Sequence, residues 1–110
     1  MAEIRAGRDV VTVINVFSVA PERQQALVDV LVEATEAVIR HLPGFVSASI
    51  HKGLDGNRVA NYAQWRGRAD LEAMRADPAA LAQLARVREL TTGEPHLYEV
   101  VAILDAPGAG

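Results

Sequence analysis

Two asparagines and a tryptophan sit where strand-like sequence is otherwise apolar. Asn15 lies inside "VVTVINVFSV", and Asn61 and Trp65 bracket "NYAQW", which carries the chain's only tryptophan. Alternate residues of a strand share a face. Asn61, Ala63 and Trp65 therefore point with Val59, and Asn15 points with Val11, Val13 and Phe17. Asparagine is depleted in strands, and burying its amide is costly unless it is paired. Two such amides beside an indole N–H point to a pocket that needs hydrogen-bond donors. The competing explanation makes Trp65 a core residue whose N–H finds a carbonyl, with the asparagines tying down strand ends. His51 shares its strand face with Phe45, Ser47 and Ser49 and is a candidate proton carrier. Arg86 and Arg88 lie on the last helical stretch as surface groups, one of them within reach of a pocket mouth.

Other chemistries are excluded by what is absent. No cysteine occurs, which rules out disulfides, thiolate metal sites and cysteine nucleophiles and suits a reducing cytoplasm. The three histidines, His41, His51 and His96, lack the spacing of a metal motif. There is no GxGxxG, P-loop or GxSxG. Gly53-Leu54-Asp55-Gly56 matches a nucleic-acid backbone clamp, but it sits in a hairpin turn of a chain with net charge −3 and no basic stripe. Arg66-Gly67-Arg68 reads as a solvated corner. No apolar run is long enough to span a membrane, and no signal peptide precedes the first strand.

The elements that must position the pocket follow from periodicity and turn chemistry. The 110 residues suit one domain, with a core over about 10–105 and loose tails at 1–9 and 106–110. Val10–Val19 is β-branched and predicts a strand. Ala20-Pro21-Glu22 opens a helix carrying Leu27, Val30, Leu31, Ala34 and Val38, which ends near His41. Phe45–Lys52 and Arg58–Trp65 form a hairpin around "GLDGN". Residues 68–76 predict a short helix, and Asp77-Pro78 caps another that runs to about Leu90. "TTGEP" predicts a loop, and His96–Leu104 a last strand.

Strand, helix, strand, strand, helices, strand is the order of a ferredoxin-like α+β sandwich, one antiparallel four-stranded sheet with helices on one face. In that topology the first and third strands are central neighbours, which brings Asn15 beside Asn61 and Trp65. The first and last strands are apolar on both faces, and helices from one chain cover only one. The other face predicts a homodimer joined sheet to sheet.

"LPGFVSASIHKGLDG", "VANYAQW" and the "ADP" at 76–78 resemble the antibiotic biosynthesis monooxygenase family, most closely its cofactor-free, quinone-forming enzymes of aromatic polyketide pathways. The resemblance runs from about Val11 to Leu104. It implies a dimeric α+β barrel that oxidises a polycyclic phenol or anthrone to a quinone with O₂, without metal, flavin or haem. It places the family's catalytic residues at Asn61, Trp65, Asn15 and His51. Phe17, Leu71, Met74 and Arg86 are the corresponding candidates for substrate binding. Two alternatives share the fold. A haem-degrading oxygenase needs an axial histidine after the tryptophan strand, and residues 66–90 contain none. A non-enzymatic small-molecule-binding dimer is the other.

Overall fold

β-branched side chains stiffen an extended backbone, and Val11–Ser18 is strand β1 at the centre of the sheet. The structure, a computed structural model, describes residues 10–108. The expected loose tail at 1–9 lies outside them. β2 (Phe45–Lys52), β3 (Arg58–Trp65) and β4 (Thr92–Tyr98) complete one antiparallel sheet in the order β2-β3-β1-β4. β1 and β3 are the central pair, and Asn15 lies directly opposite Asn61. Three α-helices follow the expected order: α1 (Gln24–Ala37), α2 (Arg68–Ala76) and α3 (Pro78–Leu90). This is the ferredoxin-like arrangement that the element order implied. No helix among the described residues is long and apolar enough to cross a membrane.

The core lies between the sheet and the helices. Phe17 and Val19 from the first strand and its end, Val59 from β3, Leu27 and Leu31 from α1, and Val87 from α3 form one buried cluster. Gln24, at the start of α1, is buried too. Its Nε2 donates to the carbonyls of Gly53 (2.9 Å) and Arg58 (3.0 Å), so one side chain fastens the helix to the base of the β2–β3 hairpin.

Three local features differ from the sequence reading. The first helix does not continue to His41. It stops at Ala37, and Ile39–His41 forms a separate 3₁₀ turn after Val38 leaves helical geometry (φ −129°, ψ −62°). The last strand begins four residues earlier than expected and ends six earlier, at Thr92 and Tyr98 instead of His96 and Leu104. Thr91 Oγ1 donates to the Ser18 carbonyl, so the chain leaves α3 already beside the end of β1. Pairing starts at once, and it ends at Tyr98, opposite Thr12, near the other end of β1. "TTGEP" looked like a loop, but β4 is an edge strand, where glycine and proline are tolerated.

The third difference is in β2. Phe45 pairs with Trp65 and Ser47 pairs with Gln64, although Trp65 and Gln64 are consecutive. This is a β-bulge with two residues set against one. Phe45 therefore faces the helices with Ala48 and Ile50, while Ser47, Ser49 and His51 face the other way.

Two turns depend on particular residues. Gly44 has φ +83°, and its carbonyl accepts from Arg66 N–H at 2.8 Å, which joins the start of β2 to the end of β3. Asp77 caps α3: its side chain accepts from Ala80 N–H at 3.0 Å, with Pro78 in the first turn. Asp77→Ala should cost about 1 kcal/mol in urea denaturation, the usual value of an N-cap, without altering ligand binding.

Candidate active site

The helix-facing side of the sheet and the three helices enclose a cavity of about 540 Å³. Its floor is Val13, Asn15 and Phe17 from β1, Asn61, Ala63 and Trp65 from β3, and Ala48 from β2. α1 contributes Leu31, Ala34 and Thr35, α2 contributes Leu71 and Met74, and α3 contributes Leu84 and Val87. Phe45 meets Trp65 edge-on, with ring centroids 5.4 Å apart and planes at 88°. A second hollow of about 590 Å³, bordered by Ser18, Glu22, Arg23, Asn57 and Arg58, is open to solvent and shares no residue with the first.

Apart from Thr35, Thr91, Arg75 and Arg88 the walls are apolar, and the polar groups of the floor stand out against them. Asn15 Oδ1 and Asn61 Oδ1 are both buried, and neither has a hydrogen-bond partner. They belong to residues directly opposite each other on β1 and β3. Leaving such an atom unsatisfied costs about 1–3 kcal/mol. The same two strands supply a control. On the opposite face Thr12 and Gln64 are also opposite one another and fully buried, and Gln64 Nε2 donates to Thr12 Oγ1 at 3.1 Å. Where the fold uses a buried amide structurally, it satisfies it. The asparagine pair keeps two buried amide oxygens without a partner, on residues that line the cavity.

Six of the eight predicted site residues meet in this cavity: Asn15, Phe17, Asn61, Trp65, Leu71 and Met74. Two do not. The bulge turns His51 to the opposite face, where it is exposed and its Nε2 lies 2.8 Å from Ser49 Oγ. It does not line the cavity. Arg86 points away from the cavity and is held outside. Its Nη2 donates to Glu33 Oε2 (3.0 Å) and its Nη1 to Gln83 Oε1 (3.1 Å). Arg88 and Arg75 line the cavity instead. Helical phase explains the exchange. Leu81, Leu84 and Arg88 recur at i, i+3 and i+7, and Leu71 and Arg75 at i, i+4, whereas Arg86 lies off that stripe. Among the described residues no aspartate, glutamate or histidine lines the cavity. Among the described residues no group of three or more His, Asp or Glu side chains is placed to hold a metal ion.

The sequence profile of the antibiotic biosynthesis monooxygenases matches residues 10–86, which contain the whole floor of the cavity. The chain belongs to the antibiotic biosynthesis monooxygenase family. This monooxygenase is 49% identical over 100 residues to tetracenomycin-F1 monooxygenase of Streptomyces glaucescens, covering 91% of this chain and 89% of that one. Its fold matches SnoaB, a cofactor-independent oxygenase from Streptomyces nogalater (TM-score 0.75, 27% identity, 90% of this chain and 100% of that one). It also matches the ActVA-Orf6 monooxygenase of Streptomyces coelicolor, solved with nanaomycin D (TM-score 0.78, 28% identity, 87% and 92%). The expected family, fold and enzyme class therefore stand: the chain is a monooxygenase of the antibiotic biosynthesis type.

Proposed function

We propose that the monooxygenase oxidises an anthrone-type polycyclic phenol to a quinone with O₂ and no cofactor, inside the cavity floored by Asn15, Asn61 and Trp65. The observation that carries this reading is the pair of opposed asparagines whose amide oxygens are buried without a partner, on the floor of a largely apolar cavity. A flat, apolar molecule with oxygen substituents complements it. Each amide offers an acceptor and two N–H donors, so the pair can take a phenolic hydroxyl in the resting complex and stabilise an enolate oxygen as it forms. The net reaction converts a ring CH₂ and O₂ into a ring carbonyl and water. Removing the acidic proton beside the ketone yields an electron-rich enolate that can pass an electron to O₂. With neither carboxylate nor imidazole in the lining among the described residues, the proton goes to water or to the substrate's own phenolate. SnoaB, described as cofactor-independent, supports the omission of a cofactor. The haem alternative lacks an axial ligand, because no histidine lines the cavity among the described residues.

The test is incubation with anthrone model substrates in air and under anaerobic conditions, following quinone absorbance and O₂ uptake. Protein-dependent quinone formation with matched O₂ consumption is the expected result. Quinone formation at the uncatalysed rate would refute the proposal.

The same proposal includes a homodimer and a cytoplasmic location, which the cysteine-free sequence suits. Val16 and Tyr98 are exposed on the sheet face away from the helices. Beyond β4, Val101 and Leu104 are 84% and 92% exposed and belong to no element of this chain. Apolar surface of this kind is rarely left bare in a monomer, and a second copy is the simplest cover. Light scattering at micromolar concentration should give about twice the 11.8 kDa chain mass; a stable monomer would refute the dimer.

A further inference from the structure

The cavity wall holds one side chain that oxygen chemistry would alter. Met74 lines the cavity from α2 and is half-buried. It stands one helical turn after Leu71, on the same face of α2, and Leu71 is only 1% exposed. The chain has two methionines and no cysteine. Met74 therefore carries the only sulfur atom among the described residues, and that residue belongs to the cavity. Trp65, on the floor, is the other oxidisable group of the lining; among the described residues no tyrosine or histidine joins them. A thioether takes an oxygen atom from a peroxide in one two-electron step and becomes a sulfoxide. Apolar packing alone does not require sulfur here, since leucine and methionine exchange at similar volume.

We infer that Met74 is the site at which this monooxygenase is oxidised by its own chemistry, through a hydroperoxide formed on the bound substrate. This rests on the proposed function of the cavity. Once the enolate has passed an electron to O₂, the two radicals join and take up a proton, which leaves a hydroperoxide on the ring carbon. In productive turnover its O–O bond breaks as the remaining C–H proton departs, giving the carbonyl and water. In the side reaction the distal oxygen passes to the Met74 sulfur. The O–O bond breaks and an S–O bond forms. The sulfur loses two electrons, and the peroxide keeps its proton and is reduced to a ring alcohol. No further oxidant is needed. The sulfoxide puts a polar group into an apolar wall, so each event weakens binding of the next apolar ligand. Decay of activity during turnover is then a property of the cavity and not of the bulk solution.

The experiment uses Leu54→Met protein. Leu54 is fully exposed in the turn between β2 and β3, so the substitution supplies a solvent-facing methionine in the same molecule. Peptide mass spectrometry measures sulfoxide at positions 54 and 74 after incubation with anthrone in air, with anthrone under anaerobic conditions, and with hydrogen peroxide alone. Catalase in the anthrone incubations removes peroxide that escapes. Hydrogen peroxide should oxidise position 54 faster than the half-buried Met74. Turnover in air should reverse that order several-fold, and anaerobic incubation should leave both positions reduced. Met74→Leu should hold its own initial rate for several-fold more turnovers than wild type. Three results would overturn this inference while leaving the proposed oxidation intact: quinone formation with position 54 oxidised at least as fast as Met74, the same preference for Met74 with hydrogen peroxide alone, or an unchanged decay in Met74→Leu. Absence of any protein-dependent quinone would defeat the proposed oxidation, and this inference with it.

Discussion

Asn61→Ala should slow quinone formation by about ten- to a thousandfold, the range seen when one donor to a developing oxyanion is removed, while the melting temperature hardly moves. The two halves of that expectation have one cause. Asn61 Oδ1 is buried without a hydrogen-bond partner, so that group contributes little to folding. Removing it can even stabilise the protein, since an unsatisfied buried group is lost. Trp65→Phe asks the same question of the indole N–H. The residue is only 1% exposed and packs edge-on against Phe45. Truncation to alanine would therefore confuse activity with a core loss of about 3–5 kcal/mol. Phenylalanine keeps a ring and deletes the donor. The double variant should be impaired by less than the product of the single effects, because both donors would serve one developing charge. Steady-state rates and thermal melts on the same preparations decide the matter. If the rate falls only in proportion to folded protein lost, the residues are structural.

Gly44→Ala should be the most damaging single-methyl change for stability, by about 3 kcal/mol or more. A non-glycine residue in the left-handed region costs about 1–2 kcal/mol, and Gly44 has φ +83°. The added Cβ would also lie 2.2 Å from Asp70 Cγ and 2.4 Å from Asp70 Cβ. The second contact is too near the backbone to be relieved by a rotamer change, so α2 itself must shift. Urea denaturation should show the loss. In an Asp70→Gly background the further cost of Gly44→Ala should shrink to about the 1–2 kcal/mol of the backbone term alone. An undiminished cost there would mean that the helix contact is irrelevant. Because Leu71 and Met74 follow Asp70 into the cavity wall, any folded Gly44→Ala protein should also bind ligand poorly.

The pocket floor was legible because β1 and β3 are uninterrupted. Period two holds along Val11–Ser18 and Arg58–Trp65, so the shared face of Asn15, Phe17, Asn61 and Trp65 followed from alternation, and the topology made the two strands neighbours. His51 was misplaced by the same rule. Its alternation was carried through Phe45, and the bulge between Phe45 and Ser47 changes the parity of everything after it. Nothing in "FVSASIHK" signals a bulge; no glycine marks it. Likeness to relatives points to Arg86, whereas helical phase from Leu81 and Leu84 picks out Arg88. The limits of the last strand were hidden because turn-forming residues occupy an edge, where the partner strand dictates the pairing.

The bulge also uncouples chain length from geometry at one point. Val46 is the residue β3 leaves without a partner, since Phe45 and Ser47 already face consecutive residues. A chain lacking Val46 would form the same pairs, with Phe45 on Trp65 and Ala48 on Ala63. Loss of one residue between Ser47 and Lys52 would instead invert the remainder of the strand, sending apolar side chains outward and serines toward the aromatic floor. Homologues can therefore differ by one residue here at little cost, and an alignment that forbids a gap at Val46 will assign the wrong side chains to the pocket.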